Sequence, residues 1–357
     1  MRRFWTTLGR RPLAGVSLAT LVVLYLGMAF CEFLAPYDPA KLFPNASDHP
    51  PNLSWYSREL GFGPQVQTME MLDPVSRQYA RLAGSFAPVH FFVRGDPVRL
   101  WGVIPLSVHF FGTVPGTNGV GDPVFVFGTD NLGRDLLSRI LYGARISLTI
   151  GFFGVAISLF LALVLGGLAG YFGGFWDWLI MRLCEFLILI PGLYLLLFLR
   201  SILSDRMDSG QSYALITVIL SFVSWPGTAR MIRGMVHSIK RQDFVAHARL
   251  ESMPSLVILF RHIVPQMSSI LILSVTLGIP GFILGETALS YLGLGITDPA
   301  FSWGSLISRD ATSLDNLLHF PWLFTPGVFL IVVALSFNFL GELLRDLDDP
   351  NWKQGAR

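Results

Sequence analysis

A chain of 357 residues that is 52% hydrophobic and only 14% charged, with a mean hydropathy of +0.55, falls outside the composition of water-soluble globular domains and reads as an integral membrane protein. The net charge of +2 gives no reason to invoke nucleic acid, because the basic residues are spaced between apolar runs rather than pooled in a tail. The three lysines, Lys41, Lys240 and Lys353, never follow a glycine, which excludes a Walker A phosphate loop within this chain.

In chain order, Arg2, Arg3, Arg10 and Arg11 precede an apolar run from Leu13 to Leu34. The run is long enough to cross about 30 Å of hydrocarbon, and the arginines predict a cytoplasmic N-terminus. It exceeds the core of a signal peptide and lacks a small-x-small cleavage site. From Ala35 to about Tyr142 no membrane-length run occurs, and this stretch reads as a long extracytoplasmic segment. Its latter part, HFFVRGDPVRLWGVIPLSVHFFG, predicts short strands or hairpins.

A second span is predicted over 146–176, closing in the glycine-rich turn AGYFGGFWD. A third follows over 177–200, carrying Arg182 and Glu185 on one face and kinked by Pro191. After the polar link SDRMDSGQ a fourth runs over 212–231, broken near its end by Trp225-Pro226-Gly227. A fifth covers 263–291 and a sixth 323–344, returning both termini to the cytoplasm. The loop from Arg230 to Arg261 carries six Lys/Arg against Arg309 alone over 293–322, which agrees with that topology. Cys31 and Cys184 sit in apolar runs as small hydrophobes, and the seven histidines show no metal-ligand spacing, so no metal site is predicted.

The stretch between the fourth and fifth spans, QDFVAHARLESMPSLVILFRHIVPQ, is too polar for lipid. Phe244, Val245, Ala248, Met253 and Leu256 could line one side of a short helix, with Arg249 and Glu251 on the other and Pro254 ending or kinking its first segment. On pattern alone, a helix resting on lipid headgroups and a docking helix are equally served.

The pattern F-V-x-x-A-R, ten residues, then F-R-H-I-x-P resembles the cytoplasmic signature loop of permease subunits of ABC importers of the dipeptide and oligopeptide class. Four further blocks are similar in the same order: GTDNLGRDLLSRILYGARISL, GYFGGFWDWLIMRL, ILGETALSYLGLGI with the nearby SWGSLI, and FNFLGELLRDLDDP. The resemblance implies an all-α membrane fold of six transmembrane helices, the type I ABC importer permease fold. It implies residues 1–35 as N-terminus and first helix, 36–142 as the extracytoplasmic segment, 143–345 as the permease core with coupling loop 234–262, and 346–357 as a cytoplasmic tail.

In function the resemblance implies a pore-forming subunit, multi-pass in the inner (plasma) membrane, that hydrolyses nothing and carries no cofactor. ATP and Mg would belong to two partner ATPase subunits. A homologous second permease, surrounding lipid and an extracytoplasmic solute-binding protein would complete the system, which would move peptides or peptide-like solutes. Phe244, Val245, Ala248, Arg249, Ser252, Arg261, His262 and Pro265 would form the ATPase-coupling loop. Ala246-His247-Ala248 stands where Glu-Ala-Ala is usual, and Ser252 stands where glycine is usual, predicting strain if the turn keeps positive φ. Glu286, within a predicted span, and Asn338 are candidates for the translocation path or a subunit interface. A secondary transporter or channel driven through Glu286 is the rival reading.

Overall fold

The computed structural model describes Leu8 and residues 11–73, 77–114, 122–192, 194, 197–198, 202, 209–296, 298–310 and 314–348. The chain divides into two compact units: Met1–Leu21, Thr149–Glu286 and Val332–Arg357 form a helical unit, and Val22–Leu148 with Thr287–Ile331 form a unit containing a β-sheet. The predicted arginines Arg2, Arg3 and Arg10, most of the link before the fourth span and the end of the C-terminal tail lie outside the described residues.

In chain order the helices are α1 (Pro12–Ala29), α2 (Cys31–Leu34), α3 (Leu136–Phe172), α4 (Gly174–Leu189), α5 (Ser209–Ile239), α6 (Asp243–Leu250), α7 (Ser255–Val257), α8 (Ser268–Tyr291), α9 (Trp303–Asp310), α10 (Leu314–His319) and α11 (Thr325–Asp348). Between α2 and α3 stand strands β1 (Leu53–Ser57), β2 (Gly61–Asp73), β3 (Gln78–Leu100) and β4 (Ile104–Thr113). They pair antiparallel in sequence order.

Two expectations are therefore corrected. The protein is not all-α, because much of the segment expected outside the membrane is a four-stranded sheet. Among the described residues, five helical stretches, not six, are long and apolar enough to cross a bilayer: Pro12–Ala29, Leu136–Phe172, Gly210–Ile239, Ser255–Tyr291 and Pro321–Arg345. The predicted third span is instead the 16-residue α4. Ile190, extended at φ −80° and ψ 119°, stops it, in keeping with the ring of Pro191 disfavouring the helical conformation at the residue before it. Much of the remainder to Arg200 lies outside the described residues. Pro226, by contrast, does not break the fourth span: α5 runs through it to Ile239. A proline inside a membrane helix is tolerated where neighbouring groups take up the freed carbonyl.

In the helical unit, α3 and α5 approach through glycines one turn apart. A Cβ on Gly166 would lie 2.5 Å from the Ala229 carbonyl oxygen, and one on Gly170 2.6 Å from that of Arg233. Apolar burial offers little drive between helices in lipid, so such backbone proximity and its dispersion contacts carry the association. Trp225, Ile232 and Val236 of α5 pack with Ala162 and Ala169 of α3 and Ile180 and Cys184 of α4.

The sheet unit is held differently, by buried polar bonds as well as apolar contacts. Asp130 accepts hydrogen bonds from the backbone N–H of Leu132 (3.0 Å) and Arg134 (2.9 Å), from Arg134 Nε (2.7 Å) and from Arg139 Nη1. Asp135 Oδ2 caps α3 by accepting from the Ser138 N–H (2.8 Å) and Oγ (2.6 Å). Gly128 and Gly133 adopt φ of +76° and +77°, and a Cβ on either would meet a carbonyl within 2.6 Å. The block from Gly128 to Leu148 is thus a folded turn and helix cap. Trp303, fully buried, donates its indole N–H to the Ile140 carbonyl (2.9 Å) and its backbone N–H to Ser147 Oγ (3.0 Å). These bonds give the SWGSLI stretch a structural role.

Within β3 the Gly95-Asp96-Pro97 stretch is not a turn but a register shift between Arg94 and Val98. A proline or glycine inside a strand commonly marks such a bulge. There Asp96 pairs with Lys41 (2.8 Å), and His109 spans the carbonyls of Ala35 (2.6 Å) and Asp96 (2.9 Å).

Candidate functional site

The coupling candidate lies in the helical unit, where the C-terminal ends of α3 and α5 come together. Lys240, just past α5, donates from Nζ to the carbonyls of Gly170 (2.8 Å) and Tyr171 (3.3 Å), satisfying two of the last carbonyls of α3 and placing a cation at its negative end. Burial, with Arg249 and Arg241 nearby, holds its pKa below the usual lysine value. Gly173 and Gly174, at φ of +69° and +56°, then turn the chain into α4. On α4, Asp177 accepts from Arg233 Nε (2.8 Å) and Nη2 (2.5 Å). That fork-to-fork pair holds the carboxyl of Asp177 below its usual pKa.

On this platform sits α6. Val245 is fully buried and Ala248 nearly so, while Phe244 and Met253 pack partly buried against the same core as Ile232 and Val236. The apolar face of α6 is therefore covered by the chain's own helices. Leu256, expected on that face, is 51% exposed. The outward face carries Asp243, Ala246, His247, Arg249, Leu250 and Glu251. Arg249 lies over the Tyr171 ring, 5.4 Å from its centroid, and Leu250 is 81% exposed.

The end of α6 explains what Ser252 does. It keeps the left-handed conformation, at φ +57°. Its N–H donates to the Arg249 carbonyl (2.9 Å) and that of Met253 to the Ala248 carbonyl (3.2 Å). Those two bonds define a Schellman cap, with Met253 and Ala248 supplying its apolar contact. The turn geometry that glycine would favour is retained by a residue that is strained in it.

Beyond Pro254 the backbone is helical from Ser255, earlier than the predicted start at Ile263. It passes through a wide turn at Ile258–Ile263 and a tight one at Val264–Met267 before α8. Pro265 cannot donate to a carbonyl one turn back, and the adjacent change of hydrogen-bond spacing absorbs that loss. Ile258, Leu259 and Ile263 are buried beneath α6, whereas Arg261 is exposed and His262 half-buried.

Phe244, Val245, Ala248, Arg249 and Ser252 thus fall on one short helix and its cap, with Arg261, His262 and Pro265 on the following turns. Glu286 is fully buried on α8, and Asn338 is exposed on α11. Sequence reasoning missed Leu250 and the platform of Lys240, Tyr171 and the Asp177–Arg233 pair. The signal for Leu250 was available: a leucine at the last position of the octapeptide Asp243–Leu250, next to Arg249 and out of register with Val245 and Ala248.

Five apolar stretches of spanning length and a polar helix between two of them define a multi-pass membrane protein with a surface element outside the bilayer. Residues 162–354 match the family of the binding-protein-dependent transport system inner membrane component, and residues 1–51 match the N-terminal TM domain of oligopeptide transport permease C. The oligopeptide transport system permease protein OppC of Haemophilus influenzae is 38% identical over 225 residues, 63% of this chain and 70% of that protein. OppC of Escherichia coli K12 is 39% identical over 225 residues, covering 63% and 72%. The dipeptide transport system permease protein DppC of Alkalihalophilus pseudofirmus is 36% identical over 228 residues, covering 64% and 72%. The chain belongs to the binding-protein-dependent transport permease family, and it is a membrane transport permease.

Proposed function

We propose that this permease carries oligopeptides or dipeptides as one half of an ATP-driven import pathway, paired with a homologous permease and fed by an extracytoplasmic solute-binding protein. On this reading the α6 end faces the cytoplasm, as does the arginine-rich N-terminus. Each permease of the pair presents one such helix to a partner ATPase, which binds ATP and Mg, and rigid-body movement of the spans follows nucleotide-driven closure. The names of the relatives support peptides as the solute class.

The observation that carries the docking role is the exposure of Leu250 beside Arg249 on a helix whose other face is already buried. The apolar face needs neither lipid nor partner, so the face available for docking is the outward one. An apolar side chain ringed by charges suits the centre of a small protein–protein contact. A leucine projecting from a core-seated helix can transmit force in both directions.

Within the helical unit an open groove lined by Ser158, Ser224, Thr228, Ser274 and Phe282 is a candidate stretch of the pathway. Ser224 and Ser274 hydroxyls donate to the carbonyls of Leu220 and Ile270 one turn back (2.8 Å each). Their lone pairs remain available to passing amides without the cost of unpaired donors. The reading is tested by uptake of a labelled peptide into vesicles holding the assembled complex: ATP-dependent accumulation supports it, and accumulation driven by an ion gradient without ATP refutes it.

A further inference from the structure

The sheet unit carries an exposed apolar feature that the docking role does not use. The β3–β4 turn reads Leu100-Trp101-Gly102-Val103-Ile104 and contains no charge; Trp101 is 54% exposed, Val103 79% and Ile104 49%. Trp101 and Gly102 both have positive φ, 54° and 73°, and the Val103 N–H donates to the Leu100 carbonyl (3.1 Å). That geometry ordinarily selects asparagine or glycine. A tryptophan held there is strained, and strain of that kind persists where a function or the surrounding structure requires it.

The tip is tied to the place where the first apolar helix ends. The Trp101 indole N–H donates to the carbonyl of Ala29, the last residue of α1 (2.7 Å), and its backbone N–H donates to Glu32 Oε1 (3.1 Å). Glu32 is itself buried and paired with Arg145 (2.6 Å). The Phe30 ring lies 5.8 Å from that of Trp101, and Phe33 lies 6.1 Å from Phe92. Val22, Val23, Leu26 and Phe30 of the same segment are also exposed. One apolar surface therefore runs along the end of α1 and onto the hairpin tip, with the exposed Arg99 beside it.

A spanning helix ends at the boundary between acyl chains and headgroups, which is where tryptophan, with an apolar ring and one polar N–H, is favoured and where arginine meets lipid phosphate. We propose that the β3–β4 tip is an interfacial membrane anchor: Trp101, Val103 and Ile104 enter the headgroup–acyl boundary of the leaflet at which α1 emerges. The anchor fixes the near end of the sheet to the bilayer surface. Its occupant is lipid, because the tip continues a helix surface whose own surroundings are lipid.

The test uses the full chain in discs of phosphatidylethanolamine and phosphatidylglycerol, with a nitroxide on Val103→Cys or, should that variant misfold, on Ile104→Cys, and on Glu59→Cys in the β1–β2 turn as the aqueous reference. The native Cys31 and Cys184 are buried and stay unlabelled. The anchor requires a label at the tip that is relaxed several-fold more by oxygen than by a water-soluble nickel chelate, with the reverse ratio at residue 59. Equal access of the chelate to both positions places the tip in water and overturns the proposal. Exclusion of both reagents from the tip means that protein covers it, and that also overturns the proposal.

Discussion

The two units of this permease solve the same problem, satisfying backbone and packing side chains, with opposite materials. The helical unit brings helices together through absences: Gly166 and Gly170 let α3 approach the backbone of α5 at Ala229 and Arg233, and its Asp177–Arg233 ion pair joins the first turn of α4 to the last turns of α5. The sheet unit uses presences, with one buried carboxylate, Asp130, organising two arginines and two backbone amides. The difference follows from the surroundings. In lipid a charge is costly and close backbone contact is available, whereas a segment joined by long loops must pin them with polar bonds.

The comparison can be broken most severely in the sheet unit. Asp130→Asn leaves Arg134 and Arg139 buried against a neutral amide, and removing one partner of a buried pair costs about 3–5 kcal/mol. Hydrogen exchange should show protection lost around residues 128–139 while α5 and α8 keep theirs; uniform loss would deny that the units are held separately. Next in size is Gly166→Leu, where a side chain would need the space of the Ala229 carbonyl and overpacking costs about 1–3 kcal/mol. Gly234→Ala, with nothing within 4 Å of its added Cβ, should leave the melting temperature unchanged or raised. Equal destabilisation by both would refute glycine-mediated approach.

A smaller effect is expected from pH. His49 is buried between Tyr79 and Phe125, with ring centroids 4.6 and 5.0 Å away, and burial lowers its pKa from 6.5. A histidine depressed in the folded state gives stability that is full above the unfolded pKa. It is lost as pH falls below about 6.5 toward the lower folded value, because the unfolded chain takes the proton first. Hydrogen-exchange protection in the sheet should fall over that window in wild type and stay flatter in His49→Gln. Smallest is Ser252→Gly, which relieves φ +57° at the α6 cap and should stabilise by up to about 1 kcal/mol. No gain in the melting temperature would mean that the serine is not strained there.

What the residues disclosed in advance divides along the same line. The break between α6 and the next helix was legible because Pro254 marks it, and the five motif blocks identified the family. Which face of α6 is buried was not fully legible: Val245 and Ala248 follow the pattern, but Leu256 belongs to the next helix and is exposed. Gly95-Asp96-Pro97 carries the composition of a turn, yet its place in the ladder depends on a partner strand ten or more residues away. Pro191 and Pro226 look alike as local signals. One follows an extended residue that ends α4, and the other lies within α5, and only their tertiary neighbours distinguish them. The platform beneath α6 could not be read at all, since Lys240 and Gly170 are 70 residues apart.

The central claim is that α6 is seated by its own chain and acts outward through Leu250 and Arg249. Because Phe244 belongs to the core, Phe244→Asp would confuse unfolding with uncoupling, and Leu250→Asp with Arg249→Glu is the sharper variant. In the complex reconstituted with its ATPase subunits and loaded solute-binding protein, this variant should insert with an unchanged melting temperature yet lose solute-stimulated ATP hydrolysis. Wild-type stimulation from a correctly inserted Leu250→Asp, Arg249→Glu protein would contradict the account.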